Sequence, residues 1–230
     1  MQVTVNGNVV NIPSDLSQIT LKQFIEWYDE YGRSLDEKLS AILASEYKDE
    51  ILREFDLEEH IINEALAWFS FFSGFDFADI KGTENAELII DRYKIIRYLL
   101  KENENDFEEF PREIEWNNEV WAIQDFKVDP KSKMDFNEII TSKEAMRQLY
   151  KLGKSRWESL LYLSIIFFRK KGEAYTDELM HEDSERMKLM ENLPMSIAMQ
   201  VGFFLKNCVD TWQKISAYSG EGEADQISPN

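Results

Sequence analysis

Leu160-Leu161-Tyr162-Leu163 and Ile165-Ile166-Phe167-Phe168 place apolar groups on every side of a helix. In a water-soluble fold such a helix must be surrounded by its neighbours. Ser155-Arg156-Trp157-Glu158 supplies a capping box at its start, the serine accepting from the amide near Glu158 and the glutamate reaching back. At the far end, Arg169-Lys170-Lys171-Gly172 offers positive charge to the carbonyl end of the helix dipole and a glycine able to take the left-handed C′ position. The reading is a central core helix over 156–171. No residue in its middle can do more chemistry than hydrogen bonding, so the best-specified stretch of this chain concerns folding.

The first residues alternate Val3, Val5, Val10 and Ile12 around Asn6-Gly7, the strongest short signal for a two-residue hairpin. Pairing across that turn puts the four apolar side chains on one face. Further along, Glu113 to Ile123 repeats the pattern, with Ile114, Trp116, Trp121 and Ile123 in the same positions around Asn117-Asn118. Each hairpin leads through a polar connection to a capped helix, Thr20 with Gln23 in the first case and Asp135 with Glu138 in the second. The expected fold is mainly α with a small antiparallel β-sheet (α+β), built from two pseudo-repeated halves. Because a lone hairpin is only marginally stable, the two are expected to combine into one sheet.

Between the hairpins, spacings of three and four predict a helix from Thr20 stopped at Gly32, and others at about 36–54, 57–72 and 87–101. Residues 102–111, rich in Glu and Asp and ending in Pro111, read as an exposed linker. The division is an N-terminal half over 1–110, a C-terminal half over 111–218 and a disordered acidic tail over 219–230. Beyond the central helix, Thr176 starts a helix to about Glu191, and Pro194 sits in the first turn of a last helix carrying Ile197, Val201, Phe204, Leu205, Cys208, Trp212 and Ile215 on one stripe. Gly202 in its middle suggests close approach of a neighbouring backbone.

Composition removes several classes of function. A net charge of −18 opposes direct binding to nucleic acid or an anionic membrane, though it permits mimicry of DNA toward a DNA-binding partner. The acids mostly alternate with lysines and arginines at helical spacing, which favours a plain solvated surface. The apolar runs fall short of the roughly 20 residues of a membrane span, and no signal peptide precedes the opening strand. The single Cys208 suits a reducing cytoplasm and reads as a small buried hydrophobe.

The search for chemistry yields little. Glu178 and His181 have the Glu-x-x-His spacing of di-iron bundles, but His60 lacks the second such motif. No phosphate-binding glycine loop, nucleophile elbow or zinc-protease helix is present, so no catalytic, metal or cofactor residue is assigned. Aromatics remain. Trp68, Phe69, Phe71, Phe72, Phe75 and Phe77 are too dense for one buried face of a helix and its exit loop. Trp68, Phe71, Phe75 and Phe77 are therefore candidate partner anchors, with core packing as the alternative. Arg169, Lys170 and Lys171 are candidates for receiving an acidic partner, besides their role at a helix end.

Ile19-Thr20-Leu21-Lys22-Gln23-Phe24 after a hairpin, Trp157 to Leu163 through Arg169 to Tyr175, and Leu193-Pro194-Met195-Ser196-Ile197-Ala198 together resemble small proteins from the structural gene clusters of tailed bacteriophages, particularly those of Bacteroidetes hosts. The resemblance covers most of the chain in layout. It implies a non-enzymatic tail assembly chaperone or minor tail or virion component, working in the host cytoplasm or in the particle. Its partners would be other phage structural proteins, such as a tail or tape-measure protein, and a homo-oligomer is compatible with it. An acidic DNA-mimic inhibitor of a host nucleic-acid-binding protein is the alternative from a different class.

Overall fold

The computed structural model describes residues 1–47, 49–81, 86–102, 113–124, 136–181 and 183–203. The chain is mainly helical with small antiparallel sheets, an α+β fold. Contacts divide it into two compact units, one formed by Met1–Asn103 with Glu191–Ile197 and the other by the rest of the chain. The segment 191–197, which the sequence division places in the C-terminal half, thus joins the N-terminal unit. Several expected features lie outside the described residues: the linker after Glu102, the Asp135 and Glu138 cap, the last helix from Phe204 with Cys208, and the tail over 219–230.

In the first unit β1 (Gln2–Val5) and β2 (Asn8–Asn11) form a hairpin pairing Val3 with Val10 and Val5 with Asn8. Its turn needs two left-handed residues, and Asn6 (φ 50°) and Gly7 (φ 78°) supply them. Val3, Val5 and Ile12 are buried, as the alternation requires. In the second unit β3 (Glu113–Trp116) and β4 (Glu119–Ile123) pair in the same register, Ile114 with Trp121 and Trp116 with Glu119. Asn117 and Asn118 take the left-handed conformation at this turn, which asparagine tolerates better than other side chains. The correspondence shown is between these hairpins.

The hairpins do not merge. β1 and β2 form a two-stranded sheet, and the second hairpin gains its third strand from β5 (Phe168–Lys170), which pairs with β4 through Phe168 to Ile123 and Lys170 to Trp121. This strand also revises the core helix. α7 (Arg156–Phe167) opens with the Ser155 and Glu158 capping box but ends at Phe167, where Phe168 turns extended (φ −105°, ψ 97°). Arg169-Lys170-Lys171 is therefore not a helix end. The open edge of β4, invisible in a local pattern, takes up the backbone that a further helical turn would otherwise use: Gln124 donates to Phe167 O at 2.8 Å and Lys171 to Val120 O at 2.9 Å. Gly172 keeps its positive φ of 86° in the turn after the strand.

α1 (Leu21–Trp27) carries the Thr20 and Gln23 box. Gly32 does not stop the helix: Tyr28–Gly32 forms a π-helical turn that runs straight into α2 (Arg33–Ala44). The helix read at 36–54 is two helices, α2 and α3 (Glu50–Ser73), because Ser45 turns extended and Asp49 caps Ile51. α3 ends at Gly74 in the left-handed conformation, and α4 (Phe77–Lys81) and α5 (Ala86–Glu102) follow. Trp68 is the centre of this unit's core, with ring centroids of Phe72 at 4.6 Å, Trp27 at 5.1 Å, Tyr93 at 5.8 Å and Phe24 at 6.2 Å.

In the second unit α6 (Phe136–Lys151) packs with α7, and Trp121 lies fully buried between Trp116 and a stacked Phe168. After Thr176 the chain makes only a 3₁₀ turn (Asp177–Met180), and the helix expected to Glu191 is α8 (Glu185–Glu191). Pro194 immediately precedes the last helix, whose described part covers 195–203, rather than lying in its first turn. Near Gly202 the close neighbour is a side chain: an added Cβ would lie 3.0 Å from Leu160 Cδ1.

Candidate functional site

α2 and α3 run on either side of a short break and pack together, leaving an open groove of about 470 Å³. Its apolar floor is Leu35, Leu66, Ala67 and Phe77, and its rim is Glu30, Tyr31, Ser34, Lys38 and Asn63. The π turn contributes two of these rim residues, Glu30 and Tyr31. Tyr31 meets Phe77 edge-on at 6.1 Å, closing one end. The Glu30 carboxylate beside it, with burial, raises the Tyr31 phenol above its ordinary pKa, so it stays a neutral hydroxyl able to donate or accept.

The candidate anchors divide sharply. Trp68 is only 2% exposed and belongs to the core, which corrects its reading as a surface anchor. Phe71 and Phe75 are half-buried; Phe71 packs edge-on against Phe72, and the Phe75 carbonyl accepts from Ser70 at 2.6 Å. Phe77, 38% exposed, is the anchor candidate that lines the groove. Of the three bases, Arg169 is 2% exposed and lies within 6.0 Å of the Tyr175 ring, because strand alternation turns it to the face opposite Phe168. It is not a surface cation. Lys170 and Lys171 reach outward but pair with Glu119 on β4 and Glu113 on β3 at 2.8 and 2.9 Å. The aromatic candidates belong to the first unit and the bases to the second.

Sequence reasoning passed over two features of the first unit. One is a buried polar cluster between α3 and α5: Glu64 accepts from Arg97 Nε at 2.6 Å, and His60 Nε2 lies 3.1 Å from its other oxygen. Burial, with Glu64 nearby, pushes the adjacent Tyr93 phenol well above its ordinary pKa. Both carboxylate oxygens are engaged, so the group acts as a clamp rather than a base. His60 and Glu64 share a helix face by their spacing, but nothing local in the sequence points to Arg97. The other is apolar and exposed: Ile51, Leu52 and Phe55 at the start of α3 stand in solvent. The sequence signal was Asp49 as a helix cap, which would have separated α3 from α2 and placed these residues on its outer side.

Among the described residues, no group of three or more His, Cys, Asp or Glu is placed to hold a metal ion, and no helix is long and apolar enough to cross a membrane. No family model, curated protein or solved structure matches the chain.

Proposed function

We propose that this chain is a non-enzymatic bacteriophage assembly or virion protein, a tail assembly chaperone or minor tail component that acts by binding other proteins of the particle. The observation that carries the reading is the open apolar groove between α2 and α3, with Phe77 in its floor, next to a helix that presents further apolar side chains to water. Surfaces of this kind mark protein partners. The polar cluster that most resembles catalytic machinery is satisfied internally at Glu64, which supports a binding role over a chemical one. The resemblance to phage structural-cluster proteins supplies the class of partner: a tail or tape-measure protein, with the host cytoplasm or the virion as the place of action.

Quantitative mass spectrometry of purified virions beside infected-cell lysate tests this. A minor tail component is present in particles at a fixed copy number; a chaperone is abundant in lysate, absent from particles, and co-purifies with a tail protein. A chain that is neither in the particle nor associated with any phage structural protein overturns the proposal.

A further inference from the structure

α3 is 24 residues long, and its two halves live in different surroundings. The second half supplies Trp68, Phe69 and the floor of the groove. The first half leaves Ile51 57%, Leu52 55% and Phe55 62% exposed. Residues three and four apart on a helix are neighbours, so Phe55 touches the territory of both Ile51 and Leu52 and the three make one patch. More than half of each residue stands in water, so a partner covering them gains the hydrophobic driving force of removing that apolar surface from solvent.

The patch is also in line with the groove. Eleven residues are about three helical turns, roughly 16 Å along the axis and about 20° from the starting direction. Leu52 and Asn63, and likewise Phe55 and Leu66, therefore share one side of α3. Asn63 and Leu66 line the groove. Glu59, seven residues after Leu52 and four after Phe55, lies on that same side between them and Leu66, and Leu66 itself is buried, so the exposed apolar patch is Ile51, Leu52 and Phe55, with Glu59 at the end nearer the groove.

Charge decides what covers it. From Asp29 to Glu59 the chain carries eleven acids against four bases. Glu54, Glu58 and Glu59 beside the patch are exposed and make no ion pair among the described residues. A second copy of this chain would bring the same acids face to face. Resting on the reading of this chain as a protein-binding protein, we propose that the exposed Ile51, Leu52 and Phe55 patch of α3 is the docking site for a basic amphipathic helix, whose apolar side chains lie on these three residues while its lysines and arginines meet Glu54, three residues after Ile51, and Glu58 and Glu59, three and four residues after Phe55. Apolar anchors would set the affinity and the surrounding acids the choice of a basic partner.

Calorimetric titration of the full chain with a synthetic Leu and Lys helix of about 18 residues, long enough to cover the patch and its flanking acids, tests the proposal. A peptide with Glu in place of Lys serves as comparison. The Leu–Lys peptide should bind and weaken as salt is raised, and the Leu–Glu peptide should not bind. Leu52→Ser with Phe55→Ser, at exposed positions that leave the circular dichroism spectrum unchanged, should weaken binding at least about tenfold, as should Glu54→Lys with Glu58→Lys. Glu115→Lys with Glu144→Lys, the same charge change in the other unit, should alter it less than about twofold. Wild-type affinity in the Leu52→Ser, Phe55→Ser variant, equal binding of the Leu–Glu peptide, or a dimer in sedimentation that this variant dissociates would each overturn the proposal. Particle composition is read independently, so a chain found in virions that ignores the peptide would sink the docking site and leave the assembly role standing.

Discussion

Glu158 shows how one side chain can serve both local geometry and the pH response of the fold. It accepts from the Ser155 amide at 2.8 Å and from Lys154 at 2.7 Å. Burial opposes its charge, but the Lys154 and Ser155 hydrogen bonds outweigh that, and its folded pKa lies below the ordinary carboxylate value. A depressed carboxylate contributes stability that is fully present above the unfolded-state pKa of about 4.3 and is lost as pH falls through the lower folded value. Glu158→Gln keeps the box, since glutamine also caps, but removes the titrating charge. Urea unfolding should therefore show a shallower loss of stability below about pH 4.3 in the variant than in the parent. Parallel acid limbs for the two proteins would refute the assignment.

At the scale of the element, the π turn at Tyr28–Gly32 joins α1 to α2 and carries Glu30 and Tyr31 of the groove rim. Gly32 sits there with an ordinary helical φ of −60°, so backbone freedom is not its reason. An added Cβ would lie 2.5 Å from Tyr28 Cδ2, and that ring is held at its far end by the 2.7 Å hydrogen bond to Asp36. Alanine normally gains about 1 kcal/mol over glycine in a helix; here Gly32→Ala should destabilise by about 1–2 kcal/mol net, since overpacking outweighs propensity. A raised urea midpoint would contradict this. The same place shows what was legible beforehand. Features set by adjacent residues were readable: the Thr20 and Ser155 capping boxes and both hairpin registers follow from four to ten consecutive side chains. Features set by distant partners were not. Glycine as a stop, the basic run as a helix end and the single sheet all failed where a Tyr28 ring, a β4 edge or a third strand intervened. Of the candidate site, Phe77 was legible as an aromatic in excess of what one face can bury. Leu52 and Phe55 were missed because the boundary between α2 and α3 was.

For the whole molecule, the N-terminal unit is completed by residues distant in sequence. Leu21 donates to Leu193 O and Met195 to Ile19 O, both at 2.8 Å, and Lys22 pairs with Glu191 at 3.0 Å. Leu193 and Met195 are fully buried. A fragment covering 1–103 lacks these contacts, and its urea transition should come at lower denaturant and be less cooperative than that of the full chain. A synthetic peptide covering 188–200, added in trans, should shift the transition back. A fragment as stable as the parent would show that the returning segment contributes nothing.

That returning segment also gives the fold a timetable. A ribosome adds about 5–20 residues per second, and roughly 90 residues separate Asn103 from Glu191, so some 5–20 s pass between synthesis of the N-terminal unit's main body and arrival of its closing piece. Throughout that interval the sites on Ile19 and Leu21 that receive Met195 and Leu193 stand open while the second unit is still being made. The first part of the chain to leave the ribosome cannot close its own core until the second part is almost complete.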